Sequence, residues 1–122
     1  MTSTNRSVAE SFFAEGLALL EAGQPLRAAQ AFRAAVDADS SHYEAHHGLV
    51  RALRDAGRLE QSIGAALALT ALTPADPLAH TALAISLQAA GHIPQAEAAS
   101  AKARIVEWRQ QLQSPPDKDA LS

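Results

Sequence analysis

His42 and His46 stand four residues apart, and on a helix they would share one face, the spacing from which a two-histidine metal site is built. No third ligand is evident, and His-x-x-x-His alone is a common pattern, so a metal site is not expected. The sequence contains no cysteine, which removes disulfides, thiolate ligands and thiol nucleophiles together. Serine and aspartate are present, but nothing resembles a nucleophile elbow, a phosphate-cradling glycine loop or a paired-carboxylate site. No catalytic residue, metal or cofactor is therefore expected.

The glycines punctuate helices instead. Gly57 lies in LRDAGRLEQS between two stretches of good helix formers, and it has twins 34 residues away on either side, Gly23 in EAGQ and Gly91 in AAGH. The same offset aligns Leu19, Leu53 and Leu87, then Ala18, Ala52 and Ser86, then Gly16, Val50 and Ala84, then Ala28, Ser62 and Ala96. The second and third units also share Ala45 with Ala79, His46 with His80, Leu49 with Leu83 and Leu59 with Ile93. So many matches in one register define an internal repeat. Each unit parses as two helices joined at its glycine, which takes the left-handed C-terminal conformation, with Pro25 and Pro94 opening the next helix. Ser7 with Glu10 and Ser41 with Glu44 are expected to form capping boxes, while Asp76 and Pro77 supply an N-cap and a preset first turn.

A helix-turn-helix period of this length with these residues resembles the tetratricopeptide repeat, over about residues 8 to 112. The second unit carries the likeness best, with Ala45, Leu49, Ala52, Leu53, Gly57, Leu59 and a terminal Pro74 in the family's order. The resemblance implies an all-α fold, a right-handed α-solenoid of three helix pairs with an extended C-terminal helix. The units fall at about 9–42, 43–76 and 77–110, inside a repeat domain spanning 7–113. Residues 1–6 and 114–122 are polar and are expected to be disordered. The starting Met and the polar tails favour a complete short chain over a piece of a longer array. Two departures stand out. The family's large aromatic in the first helix is Phe12 in unit one but His46 and His80 in the others, and its second-helix aromatic is Phe32, then Ala66 and Ser100.

In the family, the first helices line a concave groove that holds an extended or helical peptide. Carried across, the groove-facing residues are Glu10, Phe13, Leu17, Leu20 and Glu21 in unit one, and Glu44, His47, Arg51, Arg54 and Asp55 in unit two. Unit three supplies Leu78, Thr81, Ile85, Gln88 and Ala89. The ends are apolar and the middle is cationic, so a fitting protein or peptide partner would have apolar anchors around an acidic centre. Alternatively, Arg51 and Arg54 are solvated helix charges paired with neighbours such as Asp55. The family's chaperone-tail receptors grip a carboxylate at places that here are Phe13, Leu17, Gly48, Leu78 and Ala82, none of which donates a side-chain hydrogen bond, so that mode is disfavoured. The partly apolar groove leaves the role of a type III secretion chaperone open.

Unit three has Trp108 where unit two has Pro74, so its last helix is expected to run from Pro94 to about Gln113 and to cover the open end of the stack. Ala101, Ile105, Trp108 and Leu112 form one apolar stripe along it. That stripe is either a cap or a self-association surface built on Ile105, Trp108 and Leu112, and its projection past the stack favours a homodimer contact. A self-assembling scaffold is thus the alternative to an adaptor or chaperone. The net charge of -3, without a basic run, gives no footprint for nucleic acid. No apolar segment approaches the roughly 20 residues needed to cross a bilayer, and no export signal opens the chain, so a cytoplasmic location is expected.

Overall fold

The structure, a computed structural model, describes residues 3–113. They form six helices, α1 (Ser3–Glu21), α2 (Pro25–Ala38), α3 (Tyr43–Asp55), α4 (Leu59–Leu72), α5 (Pro77–Ala89) and α6 (Ile93–Gln113), with no strand among the described residues. The tail expected at 114–122 lies outside them, as do residues 1 and 2.

Each hairpin turns at its glycine. Gly23, Gly57 and Gly91 have φ of 74°, 76° and 83°, the left-handed region that a side chain disfavours. The bonds around each turn repeat as well. The N–H after the glycine donates to a carbonyl of the preceding helix, Gln24 to Leu19 at 2.9 Å, Arg58 to Leu53 at 2.8 Å and His92 to Leu87 at 2.9 Å. These bonds satisfy carbonyls that a helix end otherwise leaves bare.

Helix starts follow the sequence less closely. Asp76 caps α5 as expected, its Oδ1 accepting from the Leu78 N–H at 3.0 Å, with Pro77 in the first turn. At α3 the cap is His42, whose Nδ1 accepts from the Ala45 N–H at 3.1 Å, and the Ser41–Glu44 box does not form. Ser41 is engaged elsewhere: its hydroxyl and its N–H donate to Asp39 Oδ1 at 2.6 and 3.0 Å. Those bonds hold the Asp39 carboxyl below its ordinary range. Nor does Ser7 cap α1. Ser3–Arg6, expected to be disordered, belong to the helix, because no Gly or Pro interrupts the run and Arg6 pairs with Glu10 one turn on at 3.8 Å.

The core lies between successive hairpins. Phe32 is fully buried and fills a notch made by two glycines. A Cβ on Gly16 would sit 2.6 Å from its ring, and one on Gly48 2.7 Å. Around it pack Ala28, Ala29, Leu49, Ala52 and Leu53. Between units two and three the small Ala66 is buried with Val50, Ile63, Leu83 and Ala84, which fill the place that the aromatic takes at the first seam. α3 touches both α1 and α5, whereas α2, α4 and α6 touch only first helices. The first helices therefore form the tighter layer and the second helices splay outward, which makes the first-helix side concave.

α6 runs straight to Gln113 but does not cover the open end. Its buried edge of Ala96, Ala99, Ala103 and Val106 follows α5, and beyond it the Gln110 side-chain amide donates to the Ala75 carbonyl in the loop before α5. That edge carries the extension along the loop, leaving Leu78 and Ile85 exposed.

Candidate functional site

The fifteen residues expected in the groove divide into two groups. Glu10, Leu17, Glu21, Glu44, Arg51, Asp55, Leu78, Thr81, Ile85, Gln88 and Ala89 are exposed on the first helices. Leu17, Arg51 and Ile85 occupy the same place in the three units, so they form a row across α1, α3 and α5. The exposures are 47% and 45% for the two apolar residues and 65% for the arginine side chain. Arg51 makes a surface pair with Asp55, one turn on, at 3.7 Å. A pair this exposed contributes little and leaves the guanidinium available.

Phe13, Leu20, His47 and Arg54 are half-buried at the seams between units, which corrects their expected placement in an open groove. Phe13 and Leu20 pack on the first core cluster, and the Phe13 ring lies 5.8 Å from Phe32 and 4.9 Å from His42. His47 Nε2 is 3.8 Å from Asp76 Oδ2, and an Arg54 N–H donates to Ser86 Oγ at 3.4 Å. Phe13, His47 and Arg54 thus reach across the seams while keeping part of their surface open.

Arg54 begins a chain of hydrogen bonds that the sequence reading did not foresee. Ser62 and Ser86, both fully buried, are 2.8 Å apart at their hydroxyls, and Ser62 donates to the Val50 carbonyl at 2.8 Å. Arginine only donates and the carbonyl only accepts, so Ser86 must donate to Ser62. The available signal was serine at two places where the first unit pair has Ala28 and Ala52.

The histidines are bound into the framework. Nε2 of His46 lies 2.8 Å from the Ser40 carbonyl and Nε2 of His80 lies 2.9 Å from the Pro74 carbonyl, each tying a first helix to the loop before it. Among the described residues no group of three or more His, Cys, Asp or Glu side chains could hold a metal ion. On α6, Ile105, Trp108 and Leu112 are exposed on the side away from α5, and Trp108 keeps 58% of its surface open. No helix among the described residues is long and apolar enough to cross a membrane.

Three glycine-turned hairpins stacked with their first helices inward make a helical-repeat solenoid, a class of fold that offers surfaces instead of an enclosed reaction centre. The chain belongs to the tetratricopeptide repeat family, whose profile matches residues 13–77. Its members are protein–protein interaction modules. Among solved structures it is similar to MamA, with a TM-score of 0.79 at 17% identity, over 89% of this chain and 60% of that one. MamA of Desulfovibrio magneticus RS-1 gives 0.70 at 21% identity, over 80% of this chain and 55% of that one. The Yersinia enterocolitica type III secretion translocator chaperone SycD gives 0.75 at 17% identity, over 82% and 76%. The chain thus spans less than two thirds of the MamA chains. At these identities the likeness is one of fold. No curated protein sequence matches.

Proposed function

We propose that the chain is an adaptor or chaperone that binds an extended segment of a protein partner across α1, α3 and α5, and that its role is binding and not catalysis. The observation that carries this reading is the exposed row Leu17, Arg51, Ile85. Packed helices lie roughly 8–10 Å apart, and an extended chain advances roughly 3.3 Å per residue, so about three ligand residues separate neighbouring helices. The fitting segment therefore has an apolar residue, an Asp or Glu about three residues on, and a second apolar residue about three further. Leu78 beyond Ile85 extends the apolar end.

A fluorescently labelled peptide with leucines flanking a central glutamate tests this by anisotropy. It is expected to bind the wild-type chain, to bind Arg51→Glu at least tenfold more weakly, and to recover when its own centre is changed to lysine. Equal binding of acidic-centre and basic-centre peptides to the wild-type chain would remove Arg51 from the site.

A further inference from the structure

Because the units repeat at 34 residues, each contact across one seam has an equivalent across the next. Phe13 meets His42 at the first seam, and its equivalent His47 meets Asp76 at the second. Phe32 meets Gly48, and Ala66 packs in one cluster with Ala82. Ala28 and Ala52 share the first cluster, and their equivalents Ser62 and Ser86 are hydrogen-bonded. Val36 and Leu49 line one surface cleft at the first seam.

Advanced by one more unit, each of these pairs joins a residue on the α5–α6 face to one on α1. Thr81 is set against Val8, Ser100 against Ala14, Ala96 against Ala18, and Arg104 against Glu15. Ser100 and Arg104 line two open clefts between α5 and α6, one of them shared with Leu78 and Thr81. On the other side, Val8, Ala14, Glu15 and Ala18 are exposed, although the equivalents of Glu15 and Ala18 (Leu49, Leu83, Ala52 and Ser86) are buried and those of Val8 and Ala14 (His42, Asp76, Gly48 and Ala82) are half-buried.

The pairs match in size and in charge. Ser100 with Ala14 repeats the small-on-small packing of Ala66 with Ala82, and Ala96 with Ala18 repeats Ala28 with Ala52. Where the inner seam has apolar Val36 and Leu49, the two open faces carry Arg104 and Glu15, which are opposite in sign and have no ion-pair partner among the described residues. We infer that the α5–α6 face docks α1 of a second copy of this chain, so that successive copies continue one stack.

The helix lengths agree with this. α2 and α4 stop at Ala38 and Leu72, the equivalents of Val106, but α6 continues from Glu107 to Gln113. α1 begins at Ser3, ahead of Ala9, the equivalent of the first residues of α3 and α5. Starts of first helices and ends of second helices share one edge of the stack, so the two overhangs run antiparallel and side by side for roughly 10 Å. The contact is head-to-tail and leaves a free face at each end, so assembly does not close at two copies.

Charge exchange tests the pairing, with mass read by sedimentation across a concentration series. The wild-type chain is expected to grow past a dimer as concentration rises. Glu15→Arg and Arg104→Glu are each expected to stay monomeric, with helical content unchanged, and melting unchanged in dilute solution, because both residues are exposed. An equimolar mixture of the two variants should associate again, since in one order the introduced arginine faces the introduced glutamate and in the other the native Arg104 faces the native Glu15. Ala18→Arg should block the same seam by bulk, and Arg51→Glu in the groove should leave the mass unchanged. A wild-type chain that stays monomeric, assembly that stops at two copies, or a mixture no heavier than its components would overturn the inference.

Discussion

A single methyl group has opposite consequences at two helix glycines of this chain. At Gly48 a Cβ would come within 2.7 Å of the Phe32 ring, which cannot retreat because Gly16 bounds it as closely on the other side. Gly64, inside α4, has nothing within 4 Å of the same position. Alanine gains about 1 kcal/mol over glycine from helix propensity, and overpacking a full core costs about 1–3 kcal/mol. Gly64→Ala should therefore raise stability by about 0.5–1 kcal/mol, while Gly48→Ala should lower it by about 1–2 kcal/mol. Denaturant unfolding of the two variants checks both signs. The turn glycines were legible in the sequence because only a residue tolerant of positive φ recurs at a helix end. Gly16 and Gly48 carried no such signal, since their requirement comes from a ring far away in sequence. The cap at His42 was hidden for a related reason: Ser41 fits the local pattern better, but a carboxylate two residues back takes both of its hydrogens.

Element boundaries at the turns were readable because glycine and proline act locally. What α6 packs on was not, because an apolar stripe records a face without saying which neighbour covers it. Ala101, Ile105, Trp108 and Leu112 do share a stripe, yet the α5-facing edge is the row of small residues Ala96, Ala99 and Ala103 with Val106. Trp108 is consequently no cap within its own chain. Trp108→Ala should leave the melting temperature of the dilute chain within about 2–3 °C of wild type, since surface changes away from special features usually stay within about 0.5 kcal/mol. A drop of several degrees in dilute solution would restore the cap reading. The groove residues show the same limit. Repeat spacing placed Leu17, Arg51 and Ile85 on one face, but whether Phe13, His47 and Arg54 reach solvent or the next unit depends on how closely the hairpins stack.

In the whole molecule, stability runs along one dimension, since each hairpin touches only its neighbours. α3 is covered on both sides and supplies Leu49, Val50, Ala52 and Leu53 to the core, so opening it opens both seams. Leu53→Ala should cost about 2–5 kcal/mol, and amide exchange should be slowest in α3 and fastest towards the distal end of α6. Leu17→Ala, on an exposed side chain, provides the control. A loss no larger at Leu53 than at Leu17 would mean that the register is misplaced. The two seams differ in kind despite the uniform period, and that difference makes the units non-interchangeable. Phe32 needs a glycine opposite it, and only Gly48 among Ala14, Gly48 and Ala82 supplies one. Ser62 needs a hydroxyl donor opposite it, and only Ser86 among Ala18, Ala52 and Ser86 supplies one. A chain with its first two hairpins transposed would press a ring into an alanine at one junction or strand a buried hydroxyl at another. Modules of one backbone plan are thereby sorted into a single permutation by what meets at their junctions.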